Sequence, residues 1–202
     1  MEETKRIEFW FDFASTYSYL SAMRIEALAR QSGVIVVWRP FLLGPAFLAL
    51  GWNDSPFNIY PPKGRYMWRD LERLCGKYGF AFKRPSKFPR NGLRAARVVC
   101  ANEEASWMPD FVRAVFSANF AEDKDIGERG VIADILGSYG LPADDLIAAA
   151  EMPENKEKLR RRSEQAIDLG LFGAPSFIVE GELFWGNDRL QDALAWLIQP
   201  TA

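Results

Sequence analysis

Phe11–Arg24 reads FDFASTYSYLSAMR, and within it one repeat period gives way to another. Upstream, RIEFWFDF alternates. Ile7, Phe9, Phe11 and Phe13 fall on one face and Glu8, Trp10 and Asp12 on the other, the period of a β-strand. Downstream, Leu20, Met23, Ala27 and Leu28 recur at helical spacing between Ser18 and Gln31, and Gly33 is placed to end that helix. The junction is a strand-to-helix turn that holds Ser15 and Ser18, with two residues between them. Val34–Trp38, VIVVW, is a short β-branched run suited to a strand buried on both faces. The expected opening is strand, helix, strand, joined by a right-handed parallel crossover.

The middle of the chain changes character. LLGPAFLALGWNDSPFNIYPPKG is rich in Gly, Pro and aromatic residues and reads as an ordered loop with a short helix near Pro45–Leu50. Met67, Leu71 and Leu74 then share one face of a helix over Arg65–Gly76. Further helices are expected over Gly92–Glu103, Pro109–Ala121, Val131–Tyr139, Ala143–Met152 and Asn155–Leu169. The end returns to strands: SFIVEGELFWG is two apolar runs around Glu180-Gly181, a hairpin signal. NDRLQDALAWLIQ closes as an amphipathic helix with Leu190, Leu194 and Leu197 inward and Asn187 or Asp188 as its N-cap. The order is βαβ, helices, ββα. It specifies an α/β fold: a thioredoxin-like domain from residues 1–50 and 166–202, with a large all-helical insertion over 51–165.

Composition narrows the chemistry. The 202 residues are 49% hydrophobic and 26% charged, with net charge -2, as in soluble globular chains. That charge gives no reason to expect nucleic acid or an anionic membrane as a partner. No stretch approaches the roughly 20 apolar residues of a membrane span. MEETKRIEFWF lacks the apolar run of a signal peptide, so a cytoplasmic location is the expectation. The chain has no histidine, which excludes a Ser-His-Asp triad, and with only two cysteines no metal site is expected. Cys75 and Cys100 lie in separate helical patterns and read as small buried hydrophobes.

In a thioredoxin-like order the redox C-x-x-C stands where the first helix begins. Here that place holds Ser15-Thr16-Tyr17-Ser18, so disulfide exchange at this site is chemically impossible. What remains is a helix start with free N–H groups, suited to an anion such as a thiolate brought by a ligand. The Ser15 hydroxyl can donate to that thiolate and lower its pKa from the cysteine reference of about 8.5. The plainer role for Ser15 or Ser18 is an N-cap alone. In GAPSFIV, Ala174-Pro175 is a candidate cis bond facing that helix start, with the backbone of Ala174 open to an extended ligand; an ordinary trans proline at a strand start fits equally. In FWGNDRL, Asp188 can bind an ammonium and the helix start a carboxylate, against simple capping by either residue.

Together, FDFASTYSYL, GAPSFIV and FWGNDRL, with PPKGRYMWRDLERL and FPRNGLRAARV in the insertion, resemble the 2-hydroxychromene-2-carboxylate isomerases. These lie in the DsbA-like and kappa-class glutathione transferase branch of the thioredoxin superfamily. The resemblance implies glutathione as cofactor and a small aromatic carboxylate as substrate. Ser15 matches the serine that contacts the glutathione sulfur. Ala174, before Pro175, matches the position pairing with the cysteinyl backbone. Asn187 and Asp188 match the γ-glutamyl-binding pair, and Lys63 a basic residue near the glycine carboxylate. An asparagine after the second strand is expected as well; Asn53 is the choice, with Asp54 and Asn58 as rival alignments. Thr16 departs from the proline that the family often has there. The implied reaction is cis–trans isomerisation by thiolate addition, ring opening, bond rotation and elimination. Lys63, Arg90 or Arg94 could hold the substrate carboxylate, and Trp10, Trp52 and Trp68 could wall an aromatic pocket. Two alternatives stay open: a kappa-class-like glutathione transferase, and a non-catalytic DsbA-like peptide-binding module. Dimers are common in the branch, so a homodimer is expected.

Overall fold

In the computed structural model, which describes residues 5–198, a four-stranded sheet carries the fold. Its strands are β1 (Arg6–Phe11), β2 (Ile35–Pro40), β3 (Ser176–Val179) and β4 (Glu182–Trp185), in the order β2-β1-β3-β4. β1 pairs parallel with β2 and antiparallel with β3, and β3 pairs antiparallel with β4. The alternation in β1 decides what each face touches. Phe9 sits opposite Trp38 on one side and Phe177 on the other. Their rings lie 5.2 and 5.6 Å from that of Phe9. Pairs of this kind contribute roughly 0.5–1.5 kcal/mol each beyond their burial. The opposite face puts Trp10 into a second, smaller cluster with Phe41, Ala46, Ala166 and Leu171.

β2 is an edge strand, and Ile35 is 47% exposed, so the expectation of burial on both faces is corrected. Its β-branched run serves the parallel pairing and one covered face. The single helix expected over 18–31 is two: α1 (Thr16–Ala22) and α2 (Ile25–Gln31). The interruption falls at Arg24, whose guanidinium is held 3.1 Å from Asn187 Oδ1 and over the Tyr78 ring. Gly33 takes the positive φ that ends α2.

Between β2 and β3 lie eight helices: α3 (Leu43–Ala49), α4 (Pro56–Ile59), α5 (Pro61–Tyr78), α6 (Leu93–Ala101), α7 (Met108–Phe120), α8 (Arg129–Ser138), α9 (Ala143–Ala150) and α10 (Pro153–Asp168). The hairpin turns at Glu180 and Gly181, both at positive φ. A 3-10 turn at Asn187–Arg189 then leads into α11 (Leu190–Ile198). The main core is continuous from the sheet (Phe9, Phe11, Phe177) into the helical region (Met67, Val98, Phe111, Phe116). The two regions also share α10. Gly92, before α6, lies against the β1–α1 turn so closely that a Cβ there would stand 2.6 Å from the Phe13 Cβ. That contact brings the helical layer down onto the turn that holds Ser15.

Candidate active site

Three loops meet at the end of β1. Ser15 caps α1, its Oγ accepting from the Ser18 N–H at 3.2 Å, and the Ser15 N–H donates to the Asp12 carbonyl. The Ala174-Pro175 bond is cis, and the Ala174 carbonyl accepts the Ser15 hydroxyl proton at 2.9 Å. A hydroxyl has one proton, so this bond commits it. Asp12 ties a third loop in: its carboxylate accepts from the N–H groups of Ala14 (2.7 Å) and Leu43 (2.8 Å), linking the starts of α1 and α3. Burial raises the Asp12 pKa, and those two N–H bonds pull it partly back.

These loops floor an open cleft of about 1270 Å³, lined by Ser15, Asn53, Lys63, Ala174, Pro175, Asn187 and Asp188 among others. The residues singled out from the sequence for a ligand site therefore share one cavity. Within it they divide sharply. Asn187 is 4% exposed, and its Oδ1 accepts from Ser21 Oγ and Arg24 Nη1, both at 3.1 Å. It latches α11 to α1 and α2 and does not cap a helix, which corrects the N-cap reading; the 3-10 turn has no side-chain cap. Asp188 is open to solvent, with a side chain 74% exposed and an ion pair to Arg189 at 3.4 Å. Lys63 lies in the first turn of α5, 5.6 Å from the Phe57 ring. Asn53 and Asp54 both line the cleft, and Asp54 Oδ1 takes the Ser55 N–H and the Asn58 Nδ2.

Arg90 and Arg94 prove to be structural, so the suggestion that either holds a substrate carboxylate is withdrawn. Arg90 is 4% exposed and donates to the carbonyls of Asn119, Asp123 and Lys124, to Ser86 Oγ and to the Asp123 carboxylate. Arg94 donates to Glu151 and to the Gly127 carbonyl. Trp10 is fully buried beneath the sheet and Trp68 packs on Phe88; of the three tryptophans named from the sequence, Trp52 lines the cleft.

Sequence reasoning missed two features of the cleft. Tyr17 donates to Asp70 Oδ2 at 3.0 Å, joining α1 to α5; burial, then that bond, raises its pKa. On the opposite rim Phe172 packs against Trp185, ring centroids 4.8 Å apart and planes tilted by 60°. Alternation in ELFW places Trp185 on the same face as Leu183, and that signal was available. Cys75 and Cys100 are free and buried, their thiols pushed up by burial to about 11 and about 12. Neither lines the cleft, so the chain brings no reactive thiol to it.

Residues 6–197 match the family model of the DSBA-like thioredoxin domain. The chain belongs to that family. A 2-hydroxychromene-2-carboxylate isomerase of Sphingobium xenophagum is 32% identical over 196 residues, covering 96% of this chain and 99% of the relative. Glutathione s-transferase kappa 2 of Caenorhabditis elegans is 27% identical, covering 99% and 95%. A solved structure of selenomethionyl 2-hydroxychromene-2-carboxylate isomerase shares the fold with a TM-score of 0.85 at 24% identity, over 95% of each chain. The chain therefore stands in the branch that holds these isomerases and the kappa-class transferases. Among the described residues no helix is long and apolar enough to cross a membrane.

Proposed function

We propose that the protein is a glutathione-dependent isomerase acting on 2-hydroxychromene-2-carboxylate-type aromatic compounds. The observation that carries this is the Ser15 hydroxyl, at the start of α1 and 2.9 Å from the Ala174 carbonyl at a cis-proline, on the floor of an open cleft without cysteine. The donor set fits glutathione: a hydroxyl for sulfur, a backbone carbonyl for an amide, an exposed carboxylate for an ammonium, and a lysine for a carboxylate. The cleft exceeds the roughly 300–1,000 Å³ that one drug-sized ligand needs, leaving room for a second molecule.

Bound glutathione supplies a thiolate that adds reversibly to an activated double bond. The protein's part is to hold and switch protons. Asp188 binds the α-ammonium of the ligand, Lys63 its glycine carboxylate, and Asn53 its backbone. Ala174 accepts the cysteinyl N–H on its second lone pair, and the Ser15 hydroxyl, free to rotate, turns its proton to the sulfur because a charged acceptor holds it more strongly than a neutral carbonyl. Donation to the charged form lowers the thiol pKa below its reference of about 8.5 and raises the thiolate fraction at neutral pH. Asp12 keeps the two helix starts in register beneath it. Glutathione would leave unchanged by elimination once the bond in the substrate has rotated. A homodimer in the cytoplasm completes the proposal.

The kappa-class relative supports a second reading, conjugation in which glutathione is consumed. Isothermal titration with reduced glutathione and S-methylglutathione, on wild type and Asp188→Ala, tests the shared premise. Binding in the micromolar-to-millimolar range that weakens about tenfold or more in Asp188→Ala is expected. No binding at millimolar glutathione overturns the proposal and favours a peptide-binding groove. Glutathione titrated before and after turnover separates the two enzymes: an isomerase leaves it unchanged, a transferase depletes it.

A further inference from the structure

The cleft holds an aromatic seat that neither the glutathione ligands nor the fold requires. Phe172 is 42% exposed and Trp185 49%, yet their rings pack against each other at the rim, tilted by 60°, on the side of the cleft where the cis-proline lies. Trp185 ends β4, in register with Ser176 and one residue from Gly186. Its indole lies against the backbone of Gly173, where any Cβ would collide with Nε1. A glycine is thus needed one residue before Ala174 for the indole to stand beside the reacting sulfur's place. On the α3 side of the same cleft, Phe47 packs at a tilt against Trp52 with centroids 5.7 Å apart, and Leu48 is 69% exposed. Half-exposed aromatic surface at the mouth of a cavity marks contact with an apolar ligand.

Charge restricts that ligand further. The cations lining the cleft are Lys63, Lys77, Arg90 and Arg189. Lys63 and Lys77 stand on α5, Arg90 has both terminal nitrogens engaged by carbonyls, Ser86 and Asp123, and Arg189 is paired with Asp192 at 2.6 Å. None lies on α3 or on the 172–185 rim.

We propose that Phe172 and Trp185 seat a flat, uncharged aromatic ring of the second substrate, with any carboxylate it carries turned toward α5. This deepens the glutathione-isomerase reading and rests on it for the position of the sulfur. Trp185 is then a specificity-determining residue.

The test compares S-benzylglutathione with S-methylglutathione by isothermal titration on wild type, Trp185→Ala, Trp185→Phe and Gly173→Ala. Wild type should bind the benzyl compound about three- to tenfold more tightly. Trp185→Ala and Gly173→Ala should bring that ratio within about twofold, the second by displacing the indole without removing it, and Trp185→Phe should keep most of it. An unchanged ratio in Trp185→Ala overturns the proposal. If neither glutathione compound binds wild type, the glutathione reading fails by itself, and 1-naphthol becomes the probe. Binding to wild type that is lost in Trp185→Ala supports the seat on its own; equal binding to both, or none to wild type, overturns it.

Discussion

The two walls of the cleft are built from different chemistry. On α5 stand Lys63, Tyr66, Asp70 and Lys77, a wall of charge and hydroxyl. Facing into the same space from α3 and from the β4 rim are Phe47, Leu48, Trp52, Phe172 and Trp185, a wall of aromatic and aliphatic surface. A peptide-like ligand with charged ends suits the first, and a flat ring suits the second. Ser15 lies on the floor they share. The difference matches the proposed pairing of glutathione, charged at its ends, with a flat aromatic substrate.

The comparison can be broken at several points. Ser15→Ala removes the donor common to both walls and should lower kcat about a hundredfold, with the thiol of bound glutathione titrating back toward about 8.5 in ultraviolet thiolate absorbance. A variant with full kcat would sink the proposed role of the hydroxyl. Arg90→Met probes a charge that touches the cleft but serves the fold. It strands the carbonyls of Asn119, Asp123 and Lys124, and should cost about 3 kcal/mol in denaturant unfolding, with glutathione affinity unchanged in the folded protein. Loss of affinity at full stability would return Arg90 to the binding wall. Lys63→Ala should weaken glutathione only about threefold, because an exposed lysine contributes little to an ion pair; calorimetry that shows a hundredfold loss would make α5 the dominant anchor.

The smallest effect concerns pH. The Ser86 N–H, then Arg90, hold the Asp123 carboxyl down at about 2, below the usual 3.9. Between those values the unfolded chain binds the extra proton, so stability rises with pH there and is fully present above about 4. Melting temperature should fall as pH drops from 4 toward 2, and Asp123→Asn should flatten that slope. An equal slope in both proteins would show that another carboxylate sets the acid limit.

Much of this architecture is written locally. The period-2 run of β1, the serine turn, the X-Pro before β3 and the Glu180-Gly181 hairpin each follow from neighbours in sequence. What escapes local reading depends on distant partners. Asn187 looks like a helix cap beside Asp188, yet Ser21 and Arg24, far back in the chain, claim its oxygen. Arg90 resembles a free cation in FPRNG until Asn119, Asp123 and Lys124 surround it. The edge position of β2 depends on strand order, which a β-branched run does not encode. The same limit hid the contact of Phe172 with Trp185, since the two meet only once the hairpin has folded back on the segment before β3.

The absence of cysteine from Ser15 to Ser18, with Cys75 and Cys100 sealed in the core, has a consequence for upkeep. A protein that lends no sulfur of its own to the cleft carries no oxidised form to be reset. It cannot be caught halfway as a mixed disulfide, and it needs no electron donor between turnovers. On the proposed reading the sulfur comes with the ligand, so sensitivity to oxidation lies in the supply of reduced glutathione and not in this chain's cleft.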